Sequence, residues 1–237
     1  MYLKPRLAAL AGLIPAGGVV ADIGTDHALL PLYLARYGLA ARVIAVENRS
    51  GTIAQAKRSL ERFGHTGSIE LRLGEGLSVI RQDDRVDTVV IAGMSGRTIC
   101  RIMHDAREKW GWFGCMLLQP IQEAALLRRF LAANGMCLTA EKLAREGSRI
   151  YEIMAVRRGR QKINHPLFYE LGACLLRDGD PLLGPFIRHK LHRCRHVLAA
   201  LQQSAKPESR VKEAYYREKE SLLKEVLALV GDDKHHS

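Results

Sequence analysis

Long apolar runs are absent: no stretch reaches the roughly 18 uncharged apolar residues that a membrane-crossing helix needs. Lys4 and Arg6 stand near the start, but no apolar run with a small-residue processing site follows them. A cytosolic chain with no membrane attachment is expected. Cysteine is scarce and lacks a pattern. Cys100, Cys115, Cys137, Cys174 and Cys194 are odd in number and never spaced Cys-x-x-Cys, which argues against a disulfide framework or a zinc knuckle and for reduced, buried thiols with no metal. Aromatic residues are few, at 6%, yet 47% of the 237 residues are hydrophobic, enough for one large domain or a domain with a smaller attachment.

Acid is outnumbered. Against 36 Lys and Arg stand 25 Asp and Glu, a net charge of +11 that favours a polyanionic partner through phosphate contacts and long-range attraction. The excess is shared along the chain: 22 basic against 15 acidic side chains up to residue 159, and 14 against 10 beyond it.

In residues 1–159, compact apolar runs alternate with helix-like segments at the spacing of βα units. The predicted strands are Val19–Gly24, Arg42–Glu47, Ile69–Gly74, Asp87–Gly93, Cys115–Pro120, Met136–Glu141 and Ile150–Arg157. Several do not alternate in polarity, as suits strands covered on both faces. His27–Tyr37, Gly51–Phe63 and Leu126–Leu131 read as crossover helices, the second stopped by Gly64. The expectation is an α/β fold with a mostly parallel, doubly wound sheet.

The pattern changes after Arg157-Arg158-Gly159-Arg160. Apolar residues recur at intervals of three and four over Phe186–Leu201 and again over Val211–Val230, with a turn-prone segment at Ser204–Ser209 between them. Residues 160–237 therefore read as an appended antiparallel helical hairpin or short coiled coil, with Asp232–Ser237 fraying. Arg188, His192 and Arg195 share one helical face and are candidates for a polyanion contact.

One further absence is informative. The segment Val19-Val20-Ala21-Asp22-Ile23-Gly24-Thr25-Asp26-His27-Ala28 is an apolar strand ending in a turn before a helix, where a doubly wound fold binds its cofactor, yet it lacks Gly-x-Gly-x-x-Gly. A pyrophosphate gains from a glycine nest and few carboxylates, so a nicotinamide dehydrogenase is disfavoured. Asp22 instead suits the amino group of a methionine moiety. Glu47 closes the next strand about 20 residues beyond the turn, the place of an acid that accepts both hydroxyl protons of an adenosine ribose. Gly74 and Glu75 end the third strand near an expected adenine rim, and Gly93, Met94, Ser95 and Gly96 form a fourth-strand turn with room for close backbone approach. Together with Gly24 and Thr25, these residues point to S-adenosylmethionine and to methyl transfer. Tyr33, Tyr37, Phe63 and Trp112 are either core or apolar surfaces for an extruded base.

These segments resemble the bacterial family that methylates N1 of adenine 22 in tRNA. The resemblance is carried by Arg6-Leu7, Val20-Ala21-Asp22-Ile23-Gly24-Thr25-Asp26-His27-Ala28, Ile91-Ala92-Gly93-Met94-Ser95-Gly96, Leu117-Leu118-Gln119-Pro120 and Tyr151-Glu152-Ile153. It implies a Rossmann-like methyltransferase domain, a coiled-coil appendage, S-adenosylmethionine as donor and tRNA as acceptor. It also implies that Asp22, Gly24 and Glu47 line the cofactor and that Asp26 and the Gly93–Gly96 turn face the transfer region, with Asp26 as catalytic candidate. Arg6, His27, Leu29 and Ser95 join the substrate-side candidates. The sequence departs from the family at Leu29, commonly Tyr, at Gly51-Thr52, commonly Gly-Pro, and at Ser95, commonly Gly, which matters if that turn requires a positive φ. A monomer without an obligate protein partner is expected. The rivals are a methyltransferase for another RNA base or a small molecule, and a non-catalytic RNA-binding protein that retains the fold.

Overall fold

The computed structural model describes residues 2–232 except Asp26, His65, Thr66, Lys162, Asn164 and 204–206, and leaves out the side chains of residues 207, 208, 231 and 232. It divides into two compact units, Met1–Ile163 and Asn164–Ser237. The division falls a few residues beyond the end of the last strand.

The first unit is a seven-stranded sheet in the order β3-β2-β1-β4-β5-β7-β6, from β1 (Val19–Ile23), β2 (Arg42–Glu47), β3 (Ile69–Leu73), β4 (Thr88–Ser95), β5 (Cys115–Gln122), β6 (Met136–Glu146) and β7 (Arg149–Arg158). β1 to β5 pair in parallel; β7 runs antiparallel to both β5 and β6. The chain leaves β3 at one edge and returns as β4 beside β1, so the strand order reverses between β1 and β4, and a crevice opens at their carboxyl ends. The central strands lack polar alternation because both faces are covered. Val43, Ile44, Val89, Val90 and Leu117 are fully buried, each contributing roughly 1.5–3 kcal/mol.

The connecting helices are α1 (Pro5–Ala11), α2 (Leu29–Arg36), α3 (Ser50–Phe63), α4 (Gly96–Asp105) and α5 (Ala124–Ala133), with short 3-10 turns at Gln82–Asp84 and Arg107–Trp112. α3 ends where the periodicity predicts, with Gly64 in the left-handed region at φ 72°. α2 starts later than expected, because His27 and Ala28 lie in a turn before it and Ala28 stands at φ 52°. β6 runs to Glu146 rather than Glu141: cross-strand pairing with β7 continues to the turn at Gly147-Ser148. α1 and α4 were not predicted.

The second unit holds α6 (Leu167–Leu171), α7 (Ala173–Asp178), α8 (Leu183–Gln202) and α9 (Pro207–Asp232). α8 and α9 pack antiparallel: the Cys194 thiol donates to the Tyr216 carbonyl at 3.2 Å, and Arg195 pairs with Glu220 at 2.9 Å. Leu191, Cys194 and Leu198 of α8 are buried at the three-and-four spacing seen in the sequence, whereas in α9 the expected apolar positions Val211, Tyr215 and Leu229 are exposed and Leu223, outside that pattern, is buried instead. The expected turn over Ser204–Ser209 is shorter, since Pro207 already opens α9, as suits proline in a first helical turn; 204–206 lie outside the described residues. Among the described residues no helix is long and apolar enough to cross a membrane.

Candidate functional site

The carboxyl ends of β1, β2 and β4 bring the candidate cofactor residues into one crevice. Gly24 and Thr25 N–H both donate to the Val46 carbonyl, at 2.8 and 3.0 Å, and Gly74 N–H donates to the Glu47 carbonyl at 2.9 Å, so the turns after β1 and β3 are both tied to the end of β2. Gly24 stands at φ 80°, and a Cβ there would overlap the terminal methyl of Met94. Met94 thus reaches from the β4 turn across to the β1 turn. A Cβ on Gly74 would likewise overlap the Val79 side chain.

Two carboxylates mark this edge. Asp22 is 7% and Glu47 8% exposed. Burial foremost, with the charge of Glu47 in addition, lifts Asp22 to a pKa of about 6; the Thr25 hydroxyl offsets part of this. That hydroxyl is itself buried and makes no well-formed hydrogen bond among the described residues, a polar atom that a ligand can satisfy. Glu47 Oε1 accepts from the N–H groups of Asn48 and Arg49 at 2.9 and 3.1 Å, which fixes the carboxylate and leaves its second oxygen for another donor. Buried acids without cationic partners among the described residues, around a turn with no glycine nest, suit a ligand that carries an ammonium and vicinal hydroxyls rather than a pyrophosphate.

Glu75 is placed differently. Its carboxylate is exposed and paired with Arg101 of α4 at 2.9 Å. The loop after it is pinned by Lys109, whose ammonium donates to the carbonyls of Leu77, Ser78 and Ile80 at 2.9, 2.9 and 3.0 Å. Nothing in the local sequence around Lys109 signalled this.

At the end of β4, Gly93 has φ 77°, whereas Ser95 is extended, with φ −67° and ψ 151°. The positive φ falls on the glycine, and Ser95 caps α4 by accepting from Thr98 N–H at 3.1 Å. The departure from the family at Ser95 therefore costs the turn nothing. Gly96 is held tightly: a Cβ there would run into the Glu123 carbonyl, where the β5–α5 turn passes. Leu29, at the start of α2, is 40% exposed, and His27 is exposed on the same turn. The catalytic candidate Asp26 lies outside the described residues. Arg6 of α1 comes to the crevice from outside the βα units: it donates to Gln119 Oε1 at 2.7 Å, with its guanidinium 5.6 Å from the Tyr151 ring centroid. Of the aromatic candidates, Tyr37 and Phe63 are half-exposed, and Tyr33 and Trp112 partly buried.

Within the second unit, Arg188, His192 and Arg195 line one groove of about 580 Å³ with Leu191, Lys224, Leu227 and Ala228. Arg195 is paired there with Glu220, which also holds Lys224 at 2.8 Å.

Comparison with known proteins accounts for this arrangement. The family model for tRNA (adenine(22)-N(1))-methyltransferase matches residues 20–225. The chain belongs to that family. It is 35% identical to the tRNA (adenine(22)-N(1))-methyltransferase of Bacillus subtilis over 159 residues, 67% of this chain and 66% of that relative. In three dimensions it matches the Bacillus subtilis m1A22 tRNA methyltransferase with a TM-score of 0.84 at 28% identity, covering 95% of this chain and 99% of that one. A Streptococcus pneumoniae chain solved in complex with S-adenosyl-L-methionine matches with a TM-score of 0.85 at 27% identity, over 95% and 100% of the two chains. The family match covers both units, so the helical appendage belongs to the family's architecture.

Proposed function

We propose that this chain transfers a methyl group from S-adenosylmethionine to N1 of adenine 22 in tRNA, with the donor in the crevice of the first unit and both units touching the RNA. The observation that carries the reading is the pair of buried acids, Asp22 and Glu47, on adjacent strand ends at the point where the strand order reverses.

The donor, when bound, supplies a methyl group on a cationic sulfur. Asp22 receives its amino group and Glu47 its ribose hydroxyls, while Gly24, Thr25, Gly74 and Glu75 shape the floor and rim; Gly93 and Met94 close the side facing β4. Neutral adenine N1 carries no proton that must leave, so the chain needs no general base; its task is to hold N1 in line and keep water out. Asp26 accepts a hydrogen bond from the exocyclic amine and favours the positive charge that methylation leaves on the ring. N1 lies on the Watson–Crick edge, so the base is taken from its stack. Arg6, His27, Leu29 and Ser95 surround it, and Arg188, His192 and Arg195 hold tRNA phosphates. The enzyme works as a monomer in the cytoplasm, where its tRNA substrate is.

Mass-spectrometric mapping of nucleosides after incubation with labelled S-adenosylmethionine and unmodified bacterial tRNA tests this. The expected result is 1-methyladenosine at position 22. Label on another nucleotide would overturn the acceptor, and donor binding without transfer across a full tRNA pool would overturn the reaction.

A further inference from the structure

Gln119 is a fully buried amide on the interior strand β5, an expensive place for a polar side chain unless both ends of the amide find partners. Both do. Its Oε1 accepts from two donors, Arg6 Nη1 at 2.7 Å and Gly93 N–H at 3.1 Å, and its Nε2 donates to the Pro120 carbonyl at 2.9 Å. This pattern permits one amide orientation: reversing it would set the NH2 group against two donors and the oxygen against a carbonyl. The oxygen is therefore a fixed point shared by α1 and the β4 turn.

Arg6 has no carboxylate partner among the described residues. Its guanidinium is held by one edge on Gln119, rests 5.6 Å from the Tyr151 ring centroid and comes close to the Gly93 turn: a Cβ on Gly93 would stand 3.7 Å from Nη1. Tyr151 lies on β7, and Arg149 shares its face by the two-residue period of a strand, exposed at the tip of the β6–β7 hairpin. β7 runs antiparallel to β5, so this tip lies at the carboxyl edge of the sheet, beside the crevice. A planar cation fixed through one nitrogen, with no other hydrogen bond among the described residues, is built to receive an oxyanion.

We propose that Arg6, Gln119 and Tyr151 form a phosphate-binding subsite of the first unit that grips the RNA backbone next to the extruded nucleotide, with Gln119 as the positioning residue. The inference rests on an RNA acceptor. Gln119 sets the direction of the Arg6 fork and, through Gly93, couples it to the turn that faces the methyl donor, so that a seated phosphate and a placed base come together.

A double-mutant cycle on tRNA methylation, with donor binding measured separately by calorimetry, tests it. Arg6→Ala is expected to lower kcat/KM for tRNA about 30-fold and Gln119→Met about 10-fold, the range for losing a hydrogen bond to a charged group. The double variant should be no worse than Arg6→Ala alone, because the two act through one contact. Arg6→Ala should also reduce the slope of log affinity against log salt by about 1. Affinity for S-adenosylmethionine should stay within about twofold throughout. Multiplied losses in the double variant, an unchanged salt slope in Arg6→Ala, or an equal loss of donor affinity would overturn the subsite. Failure of the wild-type chain to methylate tRNA would instead remove the RNA reading on which it rests, so the two failures are distinct.

Discussion

Asp22 and Glu47 end two adjacent parallel strands as buried carboxylates, and each charge stands where the other is unwelcome. Burial first, and Glu47 second, lift Asp22 from 3.8 to about 6. Between those values the folded chain keeps a proton that the unfolded chain has released, so without donor this group's stabilising contribution is full below about 3.8 and is lost as pH rises through 6. A donor ammonium needs the opposite state, the charged carboxylate. Affinity for S-adenosylmethionine should therefore be flat above about pH 6 and fall by up to about tenfold per unit below it. Calorimetric titration from pH 5 to 7.5 checks this. Asp22→Asn should bind more weakly and lose the pH dependence; an equally flat wild-type profile would remove Asp22 from the ammonium site.

Gly24 illustrates a position held by two constraints at once. Its φ of 80° disfavours any side chain, and the Met94 methyl occupies the space a Cβ needs. Gly24→Ala should weaken donor binding by at least about tenfold, since the left-handed conformation alone costs roughly 1–2 kcal/mol and the steric overlap adds to it. Met94→Ala in that background should restore only part of the loss, because it relieves the overlap and not the dihedral. Full restoration in a donor-binding assay would show that φ is unimportant here.

The parts of this molecule that could be read from sequence are those with local causes. The βα alternation, the end of α3 at Gly64, and the apolar seam of α8 follow from periodicity and turn chemistry, and the strand-end acids follow from their distance along the chain; the buried face of α9 does not, since Leu223 is buried while Val211, Tyr215 and Leu229 are exposed. What was not legible depends on pairs far apart. Arg6 meets Gln119 across 113 positions and Lys109 meets the 77–80 carbonyls across about 30, and neither leaves a pattern within any window. α4 was missed because its start lies in a glycine-rich turn that reads as loop, and the cap that defines it is the Ser95 side chain. The extra length of β6 is set by its partner β7 and not by its own residues.

Arg128 is a second long-range surprise. On the core face of α5 it is fully buried, donating from Nε to Glu141 at 2.7 Å and reaching Glu152 through Nη2 at 2.7 Å, so helix and hairpin are joined by one cation and two acids. Burial alone would lower its pKa, but the two carboxylates outweigh this and hold it fully charged. Arg128→Met would take the shared cation away from both acids, at a cost of about 3–5 kcal/mol. Chemical denaturation should register a loss of that order, and Arg128→Met with Glu141→Leu and Glu152→Gln should regain much of it. A change under about 1 kcal/mol in the single variant would mean that the cluster is hydrated in solution.

The groove of the second unit can be separated from the catalytic crevice by its salt dependence. Arg195 is tied to Glu220, whereas Arg188 has no ion pair among the described residues, so it is the cation of this face most available to a phosphate. Each phosphate contact removed should lower the slope of log affinity against log salt by about 1. Arg188→Ala should therefore weaken tRNA binding and reduce that slope, while donor affinity and kcat at saturating tRNA stay close to wild type, because the side chain acts on association and not on the methyl acceptor. Arg195→Ala should do less, since Glu220 already engages its charge and still pairs with Lys224 once Arg195 is gone. The opposite ranking, measured by filter binding at several salt concentrations, would show that the Arg195–Glu220 pair opens on RNA and that the groove is rearranged when tRNA binds.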